Sequence, residues 1–156
     1  MMERNKALLV HHNSETLTIL KGALERQGMH VIEAVSRAHA KRLLGELNPA
    51  PLVFTDTQLP DGTWADILAV AEKAAQHVNV IVVARVVNTR FYVEAIETGA
   101  YDFLAPPFNA ADLAYVVRTA LDNVVARRSA RSQAAPTAGE GQLAEVQEAG
   151  APATSN

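Results

Sequence analysis

Cysteine is absent from the 156-residue chain, which excludes disulfides, thiolate metal centres and cysteine nucleophiles. Aromatic residues make up only 5%, with a single tryptophan, so any core must be built mainly from aliphatic side chains. No apolar run approaches the ~20 residues a membrane-spanning helix needs. The opening MMERNKALLVHHN carries too short an apolar stretch for a secretory signal, so a cytoplasmic address is the default expectation. An excess of positive charge is also missing: 14 Lys and Arg against 17 Asp and Glu leave a formal net charge of −3. That balance argues against a nucleic-acid binder, which needs a basic footprint. What is present is ordinary for one globular domain, with 49% hydrophobic and 20% charged residues.

From Lys6 onward, short apolar runs alternate with longer amphipathic ones. Ala7-Leu8-Leu9-Val10 reads as a strand. Ser14 then has helix-capping chemistry, and Leu17, Leu20, Ala23 and Leu24 recur at helical spacing until Gly28. His30 to Glu33 is a second short strand, and Ser36 opens a helix with Ala40, Leu43, Leu44 and Leu47 on one face, ending before Pro49. Leu52 to Thr55 is continuously apolar or β-branched, the mark of a strand buried on both faces. A third helix is expected over Trp64 to Gln76, on Ile67, Leu68, Ala71 and Ala75.

Val80-Ile81-Val82-Val83 is the strongest strand signal, branched and uncharged. Thr89 to Thr98 carries Tyr92, Val93 and Ile96 at helical spacing, and Gly99 is its natural stop. Tyr101 to Leu104 makes a fifth strand, followed by Pro106-Pro107. Asn109 caps a last helix whose stripe is Leu113, Val116, Val117, Ala120, Leu121 and Val124. Strands alternating with helices imply a parallel sheet covered on both sides. Right-handed crossovers then make the expected fold α/β, a flavodoxin-like (βα)5 doubly wound sheet with strand order 2-1-3-4-5.

After Arg128 the composition shifts to Ala, Gly, Ser and Pro with few large apolar residues. Such a segment buries too little surface to offset its ordering entropy. The expected organisation is a folded domain over 6–127 and a disordered tail over 128–156 with no output domain, although QLAEVQEA has the pattern of a transient helix.

In this architecture chemistry gathers at the carboxyl ends of the strands, near the switch in strand order. Strand one ends at His11-His12, strand three at Asp56, strand four at Ala84, and strand five runs into Ala105-Pro106. Asp56 is followed by a turn, Leu59-Pro60-Asp61-Gly62. The stretches DTQLPDG around Asp56 and ETGAYDFLAPPF from Glu97 to Phe108 resemble the receiver domain of two-component response regulators, and the resemblance covers about Lys6 to Val125.

The resemblance implies an aspartate that takes a phosphoryl group, and Asp56 is at that position. It also implies two acids after strand one that help hold Mg²⁺, a hydroxyl after strand four and a lysine before a cis-Pro-Phe, which neutralise phosphoryl oxygens. Here the acidic pair is His11 and His12, the hydroxyl position is Ala84, and the lysine position is Pro106, followed by Pro107 and Phe108. The family-type ligands left for Mg²⁺ are the Asp56 carboxylate and the main-chain carbonyl of Gln58. Imidazole is a poor substitute for carboxylate around so hard an ion, so binding is expected to be weak or absent.

Two readings follow from the resemblance: a protein-docking module that works without phosphorylation, or a phosphoacceptor served by a histidine kinase through Asp56. Beside them, Asp56 reads as a turn-former paired with a histidine. A transition-metal centre of His11, His12 and Asp56 is a lesser alternative, because adjacent strand residues point to opposite faces. Phe103 is at the family's switch-aromatic position and is expected to point inward, with Ala84 leaving room for the ring. Trp64 reads as a packing residue. Arg118, Arg127, Arg128 and Arg131 suit a helix C-terminus, or a face shared with the fourth helix. Expected partners are a histidine kinase, another regulator or a second copy docked through helix 4, strand 5 and helix 5. Flavin binding has little support, since no phosphate loop follows strand one, and neither an enzymatic activity nor a resident cofactor is expected.

Overall fold

In the computed structural model, which describes residues 5–141, the chain runs β1 (Lys6–Val10), α1 (Glu15–Arg26), β2 (His30–Ala34), α2 (Arg37–Leu44) and β3 (Leu52–Asp56). A two-strand hairpin, β4 (Gln58–Leu59) and β5 (Gly62–Thr63), precedes α3 (Trp64–Glu72). Then come β6 (Asn79–Val83), α4 (Thr89–Thr98), β7 (Asp102–Leu104) and α5 (Ala110–Gly141). Five parallel strands lie in the order β2-β1-β3-β6-β7. Without the small hairpin this is the 2-1-3-4-5 order expected from the alternation of elements.

The caps explain where the helices start. Ser14 Oγ accepts from the N–H of Leu17 (3.2 Å) and Ser36 Oγ from that of His39 (3.1 Å). Asn109 Oδ1 takes the N–H groups of Ala111 and Asp112. Each satisfies donors that the first helical turn leaves orphaned. At the other end of α4, Gly99 adopts φ +124°, a conformation that side chains with a Cβ rarely tolerate.

Strand alternation sorts the core into two layers. Leu9, Phe54, Ile81 and Val83 face Leu17, Leu20, Leu24, Leu113, Val117 and Ala120 of α1 and α5. Leu8, Val10, Val53 and Val80 face Ala40, Leu44, Ile67 and Ala71 of α2 and α3. At the start of β6, the buried Asn79 gives its Nδ2 to Ala120 O and Asn123 Oδ1, both at 3.0 Å, while His77 Nε2 lies 2.8 Å from its Oδ1. A buried amide so fully engaged fixes register instead of costing stability.

Several sequence expectations shift. Helix α2 ends at Leu44, and Leu47, which spacing puts on its apolar stripe, is 82% exposed. Helix α3 stops at Glu72, so Ala75 lies beyond it. In α4 the fully buried residue is Ala95, while Tyr92 and Val93 are each 43% exposed. The first compact unit ends at Val124, and from Val125 the backbone of α5 continues to Gly141. The backbone of α5 thus includes residues 128–141, a stretch to which the sequence pattern assigns no lasting helix. The transient helix suggested for QLAEVQEA lies outside the described residues.

Candidate functional site at the carboxyl ends of the strands

Register brings the expected positions together. Val10 pairs with Thr55, so His11 follows at the level of Asp56; Asp56 pairs with Val83, and Val83 with Leu104. Ala84 comes next on β6, and its N–H donates to Leu104 O at 2.9 Å. His11, Asp56, Ala84 and the Ala105-Pro106 segment therefore share one edge of the sheet. The peptide joining Pro106 to Pro107 is cis.

Asp56 is half-buried, and its Oδ1 accepts from the N–H of Thr57 at 2.7 Å. Beneath it Thr55 is fully buried, and its hydroxyl donates to the Asp56 carbonyl (2.9 Å).

The two histidines part company. The N–H of His11 still donates to Ala34 O (3.0 Å), so extended geometry persists to this residue and its successor turns the other way. His11 is 7% exposed. Its Nδ1 accepts from the N–H of Ser14 (3.0 Å), and its Nε2 lies 2.9 Å from Glu33 Oε2. An acceptor role for Nδ1 puts the ring proton on Nε2, pointing at Glu33. Lys21 Nζ reaches the other Glu33 oxygen at 3.9 Å. His12 is exposed. Among the described residues, no group of three or more His, Asp or Glu side chains is placed to hold a metal ion.

The turn after Asp56 has a structural task. The Asp61 carboxylate accepts the N–H groups of Arg37 (2.7 Å) and Ala38 (3.0 Å), the first residues of α2. Those bonds hold its carboxyl below the usual carboxylate range, the Arg37 N–H first and the Ala38 N–H next, with the Arg37 charge adding less. A depressed folded value means stability present in full above the unfolded value, about pH 4, and lost as pH falls through the folded one. The stability difference between the parent and Asp61→Asn should therefore stay level from about pH 8 to 5 and shrink towards zero in acid. Urea unfolding at a series of pH values measures it; a difference that persists unchanged in strong acid contradicts this role.

On β7, Phe103 is half-buried in a chain of rings. It meets Phe91 edge-on at 5.3 Å and Tyr92 at 5.8 Å, and Phe91 in turn meets Trp64 at 5.4 Å. Val82, Ala95 and Ala100 complete this cluster. Trp64 is thus a packing residue that joins α3 to α4. On α5, Arg118 stacks over the exposed Tyr115 ring, 5.6 Å from its centroid. Glu33, which holds His11, went unnoticed in the sequence. The available signal was register: Glu33 pairs with Leu9, two residues before His11 on the same face.

The family model of the response regulator receiver domain matches residues 7–118, and the chain belongs to that family. The response regulator protein PilR of Pseudomonas aeruginosa is 29% identical over 120 residues, which are 77% of this chain and 27% of PilR. Other curated relatives are likewise covered over half their length or less. A response regulator receiver domain protein from Clostridium thermocellum is 27% identical with a TM-score of 0.65, over 76% of this chain and 94% of that one. The beryllofluoride-activated NtrC4 receiver domain, solved as a dimer, is 26% identical with a TM-score of 0.65, over 77% and 98%. Among the described residues no helix is long and apolar enough to cross a membrane.

Proposed function

We propose that this receiver domain works in two-component signalling as a cytoplasmic protein-docking module, not an enzyme, with little or no phosphorylation of Asp56. The observation that carries the reading is His11. Where the family has a metal-binding acid, this chain has a buried imidazole committed to Glu33 and to the Ser14 N–H.

The residues present do not fit Mg²⁺. That ion takes hard oxygen ligands in near-octahedral geometry, and here one acidic position is turned away and the other is the exposed imidazole of His12. Only the Asp56 carboxylate and the Gln58 carbonyl remain as family-type donors. Ala84 offers no hydroxyl to a phosphoryl oxygen and Pro106 offers no ammonium. Losing such charge-assisted contacts at ~2–3 kcal/mol each slows phosphoryl transfer by decades.

Phe103 fits the same reading. Held by Phe91 and Tyr92, and lacking a hydroxyl at position 84 to draw it, the ring stays inward whatever happens at Asp56. The docking face is α4, β7 and α5, where Tyr92, Val93 and Tyr115 are exposed. Its occupants are a histidine kinase, another regulator or a second copy; the NtrC4 receiver domain was itself solved as a dimer.

One observation favours the alternative, a phosphoacceptor served by a histidine kinase: the Asp56 carboxylate lies at the strand end, only half-buried. Complementing a deletion strain of the source organism separates the two. Asp56→Asn should restore the signalling output to parental level on the docking reading; loss of output would establish the phosphoacceptor.

A further inference from the structure

A groove of about 280 Å³ lies between α2 and α3, away from the strand ends, and the receiver chemistry makes no use of it. Its walls are two helical stripes facing each other: Arg37, Lys41 and Leu44 on α2, Asp66 and Val70 on α3, and Lys73 just past the end of α3. Three cations against one acid make this lining net positive on a chain whose formal charge is −3. The acid is already engaged, because Asp66 Oδ2 accepts from the N–H of Thr63 at 2.9 Å. Arg37 shares its charge with Asp61. Lys41 and Lys73 are exposed, and among the described residues neither forms an ion pair.

We propose that this groove binds a small organic monophosphate. Lys41 and Lys73 take the phosphate with Arg37 alongside, and an apolar or planar body rests on Leu44 and Val70. Two free ammonium groups and a guanidinium match a phosphate dianion better than a carboxylate, whose single charge leaves the second lysine unmatched. Leu44, Ala69, Val70 and Ala74 supply the apolar part of the lining, and at about 280 Å³ the groove lies just below the usual range for small-molecule sites. It suits one ring system, not two. Arg37 also gives such a ligand a route to the receiver edge: its stem lies beside Gly62 and its N–H is held by Asp61, both in the turn that follows Asp56.

The test uses the full chain, titrated by calorimetry with adenosine 5′-monophosphate, guanosine 5′-monophosphate and glucose 6-phosphate. Adenosine and inorganic phosphate are run as the separated halves. At least one monophosphate should bind at micromolar to millimolar concentration, about tenfold or more tighter than either half. The double variant K41M/K73M, which keeps the apolar stems, should weaken that ligand by about tenfold or more. Arg90→Met, which removes an exposed positive charge from α4, should leave it unchanged; circular dichroism confirms that both variants fold. The proposal is overturned if no monophosphate binds at millimolar concentration, if inorganic phosphate alone binds as well, or if R90M weakens binding as much as K41M/K73M does.

Discussion

A chain carrying His11→Asp, His12→Asp, Ala84→Thr and Pro106→Lys together is expected to become phosphorylated on Asp56 by a small phosphodonor in the presence of Mg²⁺. Its rate should exceed the parent's by about three decades or more. Each change restores one oxygen ligand, hydroxyl or ammonium to an edge where register already places the four segments level with one another. At ~2–3 kcal/mol per electrostatic contact, two effective restorations suffice for that gain. The substitutions touch a common site, so their effects should not add. His11→Asp alone sets a carboxylate against Glu33 in place of the present hydrogen bond. Glu33→Gln in the restored background should therefore raise the yield further. Phosphorylation of the fourfold variant at the parental rate, with its fold intact by circular dichroism, would show that the substituted positions are not what limits Asp56.

Phe54→Ala should have the largest effect on stability, a loss of about 3–5 kcal/mol in urea unfolding. Phe54 is fully buried on the central strand, two residues before Asp56, and packs with Leu9, Ile81, Leu113 and Val117 between the sheet and α1 and α5. Its removal leaves a cavity that well-packed aliphatic neighbours only partly fill. Phe54→Leu, closer in volume, should cost less than about 1.5 kcal/mol. A cost below that for the alanine variant would mean that β3 is not anchored through this layer.

Much of the fold was legible because each element carried its own local signal. Ser14, Ser36 and Asn109 announced helix starts through side chains that cap within three residues, and Gly99 announced a stop through a backbone angle other residues avoid. The alternation of strands with helices then left few topologies open. Legibility faded where the outcome depended on what lies opposite. Leu47 sits at a helical interval from Leu43 and Leu44, but α2 has already ended and the side chain is exposed. Tyr92 and Val93 follow the period of α4, yet the sheet-facing position is taken by Ala95.

The site behaved the same way. That Asp56 closes one strand, that Ala84 follows the next and that Phe103 lies on the last could be read from the order of the elements. Glu33 and Asp61 could not, since their partners, His11 and the start of α2, are reached only across the fold. Asn79 escaped notice for a related reason: a lone polar residue opening an apolar strand reads as a boundary, whereas here it reaches across to α5.

The most direct measurement is the intact mass of the parent chain after incubation with acetyl phosphate, with and without Mg²⁺. The proposed docking role, with Asp56 left unphosphorylated, predicts an unmodified mass in both. A stoichiometric gain of about 80 Da, mapped to Asp56 and dependent on the metal, would contradict it.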